Sequence, residues 1–440
     1  MLSIAFPIII QNFISSFLNM IDTVMVGKLG ETEIAAVGIA NQYFFFFHMF
    51  MVGLGAGCGV FIAQFWGTKD IKNIRRILGI GLGSGLLVAS VFMIVGYCFP
   101  TQVIAVFNRE TSILALGSCY LQIVLASYLF TGINMIFNFA LRSLGQTMMP
   151  MAISAAALAV NAFFNYVLIF GHLGAPALGV AGAAWATVIA RVIETMLLVG
   201  MIYYRKGILA ASWHDLTDFT FGFVRDAYQT IGPVIFNDIC WGLASLVYSM
   251  VYGRMGTQAV ASIQICNTIN NLFLVILFGL SNAAAVMIGN SVGAGKAELA
   301  KGYAKNFVRL SVLVGIGLGL LLALTSPFIL RVFNVSSQVR QDTLLILYII
   351  ASIFTVRVLG IMIIVGILRG GGDARYAFLS EGFTMWFIGV PLTILGAVVF
   401  KFPVYLVYGL ATIEEVAKCC LGLFRLKSGR WIRNVTYSLG

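Results

Sequence analysis

Charge is scarce in this sequence: Asp, Glu, Lys and Arg make up 10% of the 440 residues, against 60% hydrophobic. So little polar material cannot coat a globule of this length, which excludes an ordinary soluble fold and implies a polytopic membrane protein. Proline is nearly as scarce, at eight residues, as expected of long helices and not of alternating barrel strands. The seven cysteines contain no CxxC pair and fall almost entirely in apolar runs, which argues for small buried hydrophobes over a metal centre or a disulfide framework. Of the three histidines, His48 sits in an aromatic run and reads as a core or interface residue, while His172 and His214 fall in loops. Gly370-Gly371-Gly372 lacks the Lys and Ser/Thr of a phosphate-binding loop, so nothing points to ATP as an energy source. With no nucleophile-base or metal-ligand cluster either, the chain reads as a non-enzyme without a cofactor.

What is abundant is apolar helix. Runs long enough to cross a bilayer lie near 2–26, 34–63, 77–99, 113–138, 150–171, 181–204, 226–252, 259–289, 307–330, 343–367, 376–399 and 403–424, which gives twelve helices, six in each half. The polar stretch from Arg205 to Arg225 is the natural linker, dividing the chain into 1–210 (helices 1–6) and 211–440 (helices 7–12). The net charge of +11 does not imply a nucleic-acid partner, because the charges flank membrane helices. Most lysines and arginines, from Lys69, Lys72, Arg75 and Arg76 to Arg425 and Arg433, fall on one face; the other holds Lys28, Arg109, Arg254, Arg331, Arg340 and Lys401. That asymmetry places both termini in the cytoplasm and the protein in the plasma membrane. The first helix is expected to act as an uncleaved insertion signal.

One apolar helix carries an internal charge. In Pro7 to Gly30, Asn12, Ser15/Ser16, Asn19 and Asp22/Thr23 follow one another three and four residues apart and draw a polar stripe down one face. A carboxylate inside a membrane span is costly, so it faces a bundle interior or cavity and marks an ion or substrate path.

The same stretch recurs. Shifted by 226 positions, Pro7, Gly27-Lys28-Leu29-Gly30, Asn41 and Gly67 fall on Pro233, Gly253-Arg254-Met255-Gly256, Asn267 and Gly293. Two copies of a module with an even number of spans start on the same face of the membrane. They are therefore expected to be related by an axis along the membrane normal, a parallel repeat. The copies have diverged at the charge. Tyr248 stands where the shift would put Asp22, and the carboxylate of the seventh helix is Asp238, beside Asn237 and before Trp241.

Further polar residues lie within spans. Asn161 and Asn165, four apart, share a face of the fifth helix and could supply oxygen ligands, hydrogen bonds to a carboxylate, or helix-to-helix adhesion. Arg191/Glu194 and Glu415/Lys418 are three apart, the spacing of intrahelical ion pairs. Asn237, Asp238 and Trp241 are the candidate substrate residues of the carboxy-terminal half, and Asp238 and Glu381 could serve coupling or substrate binding, or be held by a neighbouring helix. Asp373, after the glycine run, reads as a residue of a turn or a helix start.

With these residues in view, the chain resembles the multidrug and toxic compound extrusion (MATE) family. The resemblance spans the whole chain and rests on several segments in order. These are Pro7 with Asp22-Thr23-Val24-Met25-Val26-Gly27-Lys28-Leu29-Gly30, Gln64-Phe65-Trp66-Gly67, Leu141-Arg142-Ser143-Leu144-Gly145-Gln146-Thr147, Asn161 with Asn165, and Gly179 to Thr187. It implies an all-α transporter of two six-helix lobes, a monomer in the lipid bilayer. Such a protein exports small organic cations in exchange for protons or sodium ions. The site residues it implies are Asp22, Asn161, Asn165 and Thr187, with sodium, if it is the ion, held at Asp22, Asn161 and Asn165. Two positions depart from the family pattern: Asn165 replaces an aspartate found in some members, and a seventh-helix glutamate of one branch falls on Trp241. A flippase or importer of lipid-linked or other amphipathic cargo on a similar twelve-helix plan is the alternative.

Overall fold

The computed structural model describes residues 2–331, 333 and 335–438, apart from the side chains of 2, 3, 19 and 438. Asn19 of the polar stripe therefore lies outside the described side chains. Among the described residues there is helix and no strand. Ten helices are long and apolar enough to span a membrane: Leu2–Gly27, Glu31–Thr68, Ile71–Cys98, Met148–Phe170, Val180–Tyr204, Phe221–Arg254, Thr257–Gly293, Ala297–Ile329, Ser337–Leu368 and Ala374–Val399.

The remaining two spans expected from sequence are broken helices. The fourth is Thr111–Val124 followed by Ala126–Ser143, bent by 50°. At the bend the Ser127 hydroxyl donates to the Val124 carbonyl at 2.7 Å, competing with the backbone ladder there, a known way to bend a helix. The twelfth is Val404–Ala411 followed by Ile413–Lys427. Its second piece carries Glu414, Glu415 and Lys418 and so fails as an apolar span. With these two the architecture is twelve membrane helices, six in each half.

The eleventh helix is irregular as well: Ala374–Phe383 passes into π-helix at Thr384–Gly389 and again at Leu395–Val399. Pro391 lies between these segments and has no N–H to give the ladder.

Chain contacts divide the protein into two compact units, Leu2–Ile235 and Phe236–Gly440. The linker packs within the first. Ser212 caps the short helix Trp213–Thr217 in a capping box with Asp215. Asp215 then meets Arg75 at 3.0 Å, and Asp218 meets Arg76 at 2.8 Å and Lys72 at 3.2 Å, all on the third helix. Gly79 permits this docking, since a β-carbon there would collide with the Leu216 carbonyl. In the second unit the apolar core gathers Cys266, Ile269, Leu277, Leu322, Ile346, Ile350, Phe354 and Val407 from successive helices.

Candidate functional site

The first helix turns Asp22 towards the fifth. There the side-chain amide of Asn165 donates to the Asp22 carboxylate, at 2.5 Å, and to Oδ1 of Asn161, at 3.0 Å. Both asparagines are fully buried. Asn161 Nδ2 and Asn165 Oδ1 are left without a partner. Buried orphans of this kind are rare and call for an explanation such as a ligand. Asp22 makes no ion pair among the described residues; its contact is a neutral donor.

Thr187, on the sixth helix, donates to the Ala183 carbonyl at 3.0 Å. Asn165 thus joins Asp22 and Asn161, while Thr187 bonds the backbone of its own helix.

Behind Asp22 runs a buried polar chain. Arg142 donates twice to Gln11 Oε1, at 2.7 and 3.2 Å. Gln11 Nε2 donates to Asn138 at 2.8 Å and to Ser154 at 3.1 Å. Ser154 donates to Glu194 at 3.1 Å, and Glu194 pairs with Arg191 at 2.8 Å, the intrahelical pair that spacing had suggested. Arg191 in turn acts through space on Asp22. Gln11 was not singled out from the sequence although a signal existed. It lies eleven residues before Asp22, three helical turns, and so on the same face. Ser15, Ser16 and Thr23, by contrast, are exposed, so the polar stripe divides into a face packed in the unit and a face left open.

In the carboxy-terminal unit the polar residues are arranged otherwise. Arg369 clamps Asp238, with Nη2 at 2.6 Å. Asn237 donates to Glu381 at 2.7 Å, and Lys418 lies 3.3 Å from both Glu381 and Glu415. Arg357 completes the chain, 3.6 Å from Glu415 and 3.3 Å from Asn270 Oδ1. Trp241 is half-buried against the apolar group of Ala244, Met385 and Val390. Asp373 stands at the turn that starts the helix Ala374–Phe383, as the sequence reading had it, but its side chain makes no capping bond. Its fully buried carboxylate meets Arg425 at 2.6 Å and Arg433 at 3.4 Å, because the twelfth helix and the tail bring two cations to it.

The repeat seen in the sequence reappears in comparison with known proteins. The MatE family model matches residues 7–167 and 233–395, two segments that start at Pro7 and Pro233. This chain belongs to the MatE family. MatE proteins are membrane transporters and not enzymes. Among curated relatives, this MatE chain is 24% identical over 439 residues to an uncharacterized transporter, YisQ, of Bacillus subtilis, covering 98% of this chain and 94% of that protein. It is also 24% identical over 440 residues to a probable multidrug resistance protein, NorM, of Thermotoga maritima, with 98% and 92% covered. Among solved structures, the MATE transporter VcmN of Vibrio cholerae shares the fold with a TM-score of 0.89 at 16% identity, over 99% of this chain and 97% of that one.

Proposed function

We propose that this protein is a secondary antiporter of the plasma membrane that exports small organic cations in exchange for protons or sodium ions. Helices 1–6 (residues 1–210) and 7–12 (residues 211–440) form its two lobes, with both termini cytoplasmic. Efflux of drugs is the reading supported by the MatE membership together with relatives that bear multidrug resistance names.

The observation that carries the coupling role is the neutral cradle of Asp22. A carboxylate already matched to an arginine has little to gain from another cation. One bonded only to an amide, with its nearest cation already paired to Glu194, has no ion-pair partner to displace when it takes up a proton or a sodium ion. The unpartnered Asn165 Oδ1 supplies a further oxygen beside it. Turning the Asn165 amide to present that oxygen would suit sodium, while the present orientation, N–H towards the carboxylate, suits a carboxyl group that exchanges a proton. An ion bound at Asp22 shifts the alternating-access equilibrium by its difference in affinity between the two states and by nothing else. Cargo that favours the opposite state then drives the ion off.

The test is ethidium efflux from everted vesicles with a pH gradient and a sodium gradient imposed separately. Wild type is expected to respond to one of them. Asp22→Asn is expected to insert and fold normally and to respond to neither; gradient-driven efflux at the wild-type rate in that variant would sink the assignment. Uptake of labelled lipid-linked cargo in place of cation efflux would favour a flippase or importer.

A further inference from the structure

Where the seventh, tenth, eleventh and twelfth helices of the carboxy-terminal unit meet, four carboxylates lie among three cations. Asp238 is matched by Arg369, Glu381 by Lys418, and Glu415 by Lys418 and Arg357, each within 4 Å. That pairs three carboxylates with three cations. Glu414, one residue before Glu415 on the twelfth helix, is 5% exposed and makes no ion pair among the described residues. Its Oε2 accepts from the Tyr248 hydroxyl at 2.9 Å, a neutral donor on the seventh helix.

The surroundings hold it there. Gly389 closes the π-helical segment Thr384–Gly389, and a β-carbon at that position would overlap both the Tyr248 hydroxyl and the Glu414 carboxylate. The glycine and the widened turn together make the space this carboxyl group occupies. Inserted π turns of this kind recur at functional sites. The charged and titratable groups that face Glu414 are Tyr248 and Tyr252 of the seventh helix, Glu381 of the eleventh, Arg357 of the tenth, and Glu415 and Lys418 of its own helix. Lys418 is the near cation, and its ammonium is already engaged by Glu381 and Glu415. A fourth buried carboxylate beside three matched pairs carries an uncompensated charge in a poorly solvated place, which a bound proton removes.

We propose that Glu414 is a proton-binding site of the carboxy-terminal unit. Its carboxylate takes one proton from a hydronium ion of the solvent, one O–H bond breaking there to leave water as one forms on the carboxylate and leaves the cluster neutral, and the reverse step returns the proton to water. Tyr248 positions the group and Gly389 makes room for it. This does not rest on coupling at Asp22: the two sites lie in different units and are read out separately.

The experiment is infrared difference spectroscopy of the full-length protein in lipid nanodiscs, stepped in pH, with the protonated-carboxyl carbonyl bands assigned by variants. Wild type is expected to show a titrating carboxyl band that is absent in Glu414→Gln and retained in Asp22→Asn, and proton uptake across the step is expected to fall by one per chain in Glu414→Gln. Tyr248→Phe is expected to keep the band and move its frequency, because a hydrogen bond to it is lost. Glu414→Gln copies the neutral acid, so it is expected to fold and melt as wild type does. Failure of that variant to fold, or a spectrum identical to wild type, would overturn the proposal. Loss of a band in Asp22→Asn alone would overturn it while leaving the Asp22 reading intact.

Discussion

Asp22 in the amino-terminal unit and Asp238 in the carboxy-terminal unit are both carboxylates within membrane helices, yet their neighbours treat them oppositely. Asp22 meets an amide, whereas Asp238 meets a guanidinium at 2.6 Å. The first arrangement leaves a charge able to take up and release a cation. The second consumes the charge in a buried pair that holds helices together, and removing one member of such a pair strands the other. On the proposed reading of Asp22, a repeated module keeps an exchangeable site in one copy while the other copy sets Asp238 in an ion pair. Within the cluster around Lys418, Glu414 resembles Asp22 in meeting a neutral donor and no cation.

The strongest way to break the comparison is to remove the cation at the centre of the second network. Lys418→Met leaves Glu381 and Glu415 facing each other without it. The expected cost is about 3–5 kcal/mol of stability, the usual figure for breaking a buried pair, read as a large drop in thermal unfolding temperature in detergent. An unchanged melting temperature would show that the carboxy-terminal carboxylates are not held as pairs.

Next in size is Gln11→Leu, which takes the acceptor from Arg142 and the donor from Asn138. Leaving the half-buried Arg142 without its acceptor is expected to cost about 2–3 kcal/mol. The same measurement checks it, and a neutral outcome would place Gln11 outside the buried chain. Asn165→Leu should cost less in stability but act on function. It deletes a hydrogen bond to a charged group, about 1.5 kcal/mol, so coupled efflux at limiting gradient is expected to weaken roughly tenfold. Wild-type efflux in that variant would remove the distinction drawn between an amide-held and an arginine-held carboxylate.

The smallest effect belongs to the linker, which shows what exposed carboxylates do. Asp215 is held below the usual carboxylate range by the Ser212 backbone N–H and hydroxyl, with Arg75 adding to it. Asp218 is held down by hydrogen bonds from Arg76 and Lys72. A depressed value means that the stabilisation is fully present above the ordinary carboxylate value of 3.8 and disappears as pH falls through the lowered one. Asp215→Asn with Asp218→Asn imitates the acid form at neutral pH. Trypsin cleavage at Lys206 is expected to quicken in that double variant, and an unchanged rate would show that the linker is not docked by these charges.

Much of this protein is determined by its sequence alone. The long apolar runs require membrane helices, because a backbone in lipid must satisfy its own hydrogen bonds, and the 226-residue shift declares the repeat. The polar spacing marks Asp22, Asn161 and Asn165, and the intrahelical pairs Arg191/Glu194 and Glu415/Lys418 follow from spacing because helical neighbours are local. Tertiary structure alone decided the partners that come from other helices. Nothing near Asp238 in the sequence points to Arg369, nothing near Asp373 to Arg425 and Arg433, and nothing near Glu414 to Tyr248 and Gly389. The bend at Ser127 and the π turns around Pro391 belong with these, since a serine or a proline in an apolar run is compatible with a straight helix until packing selects the break. The physical reason is the same throughout. Periodicity reports which residues share a face, whereas the neutrality of a buried charge depends on what the fold brings against that face.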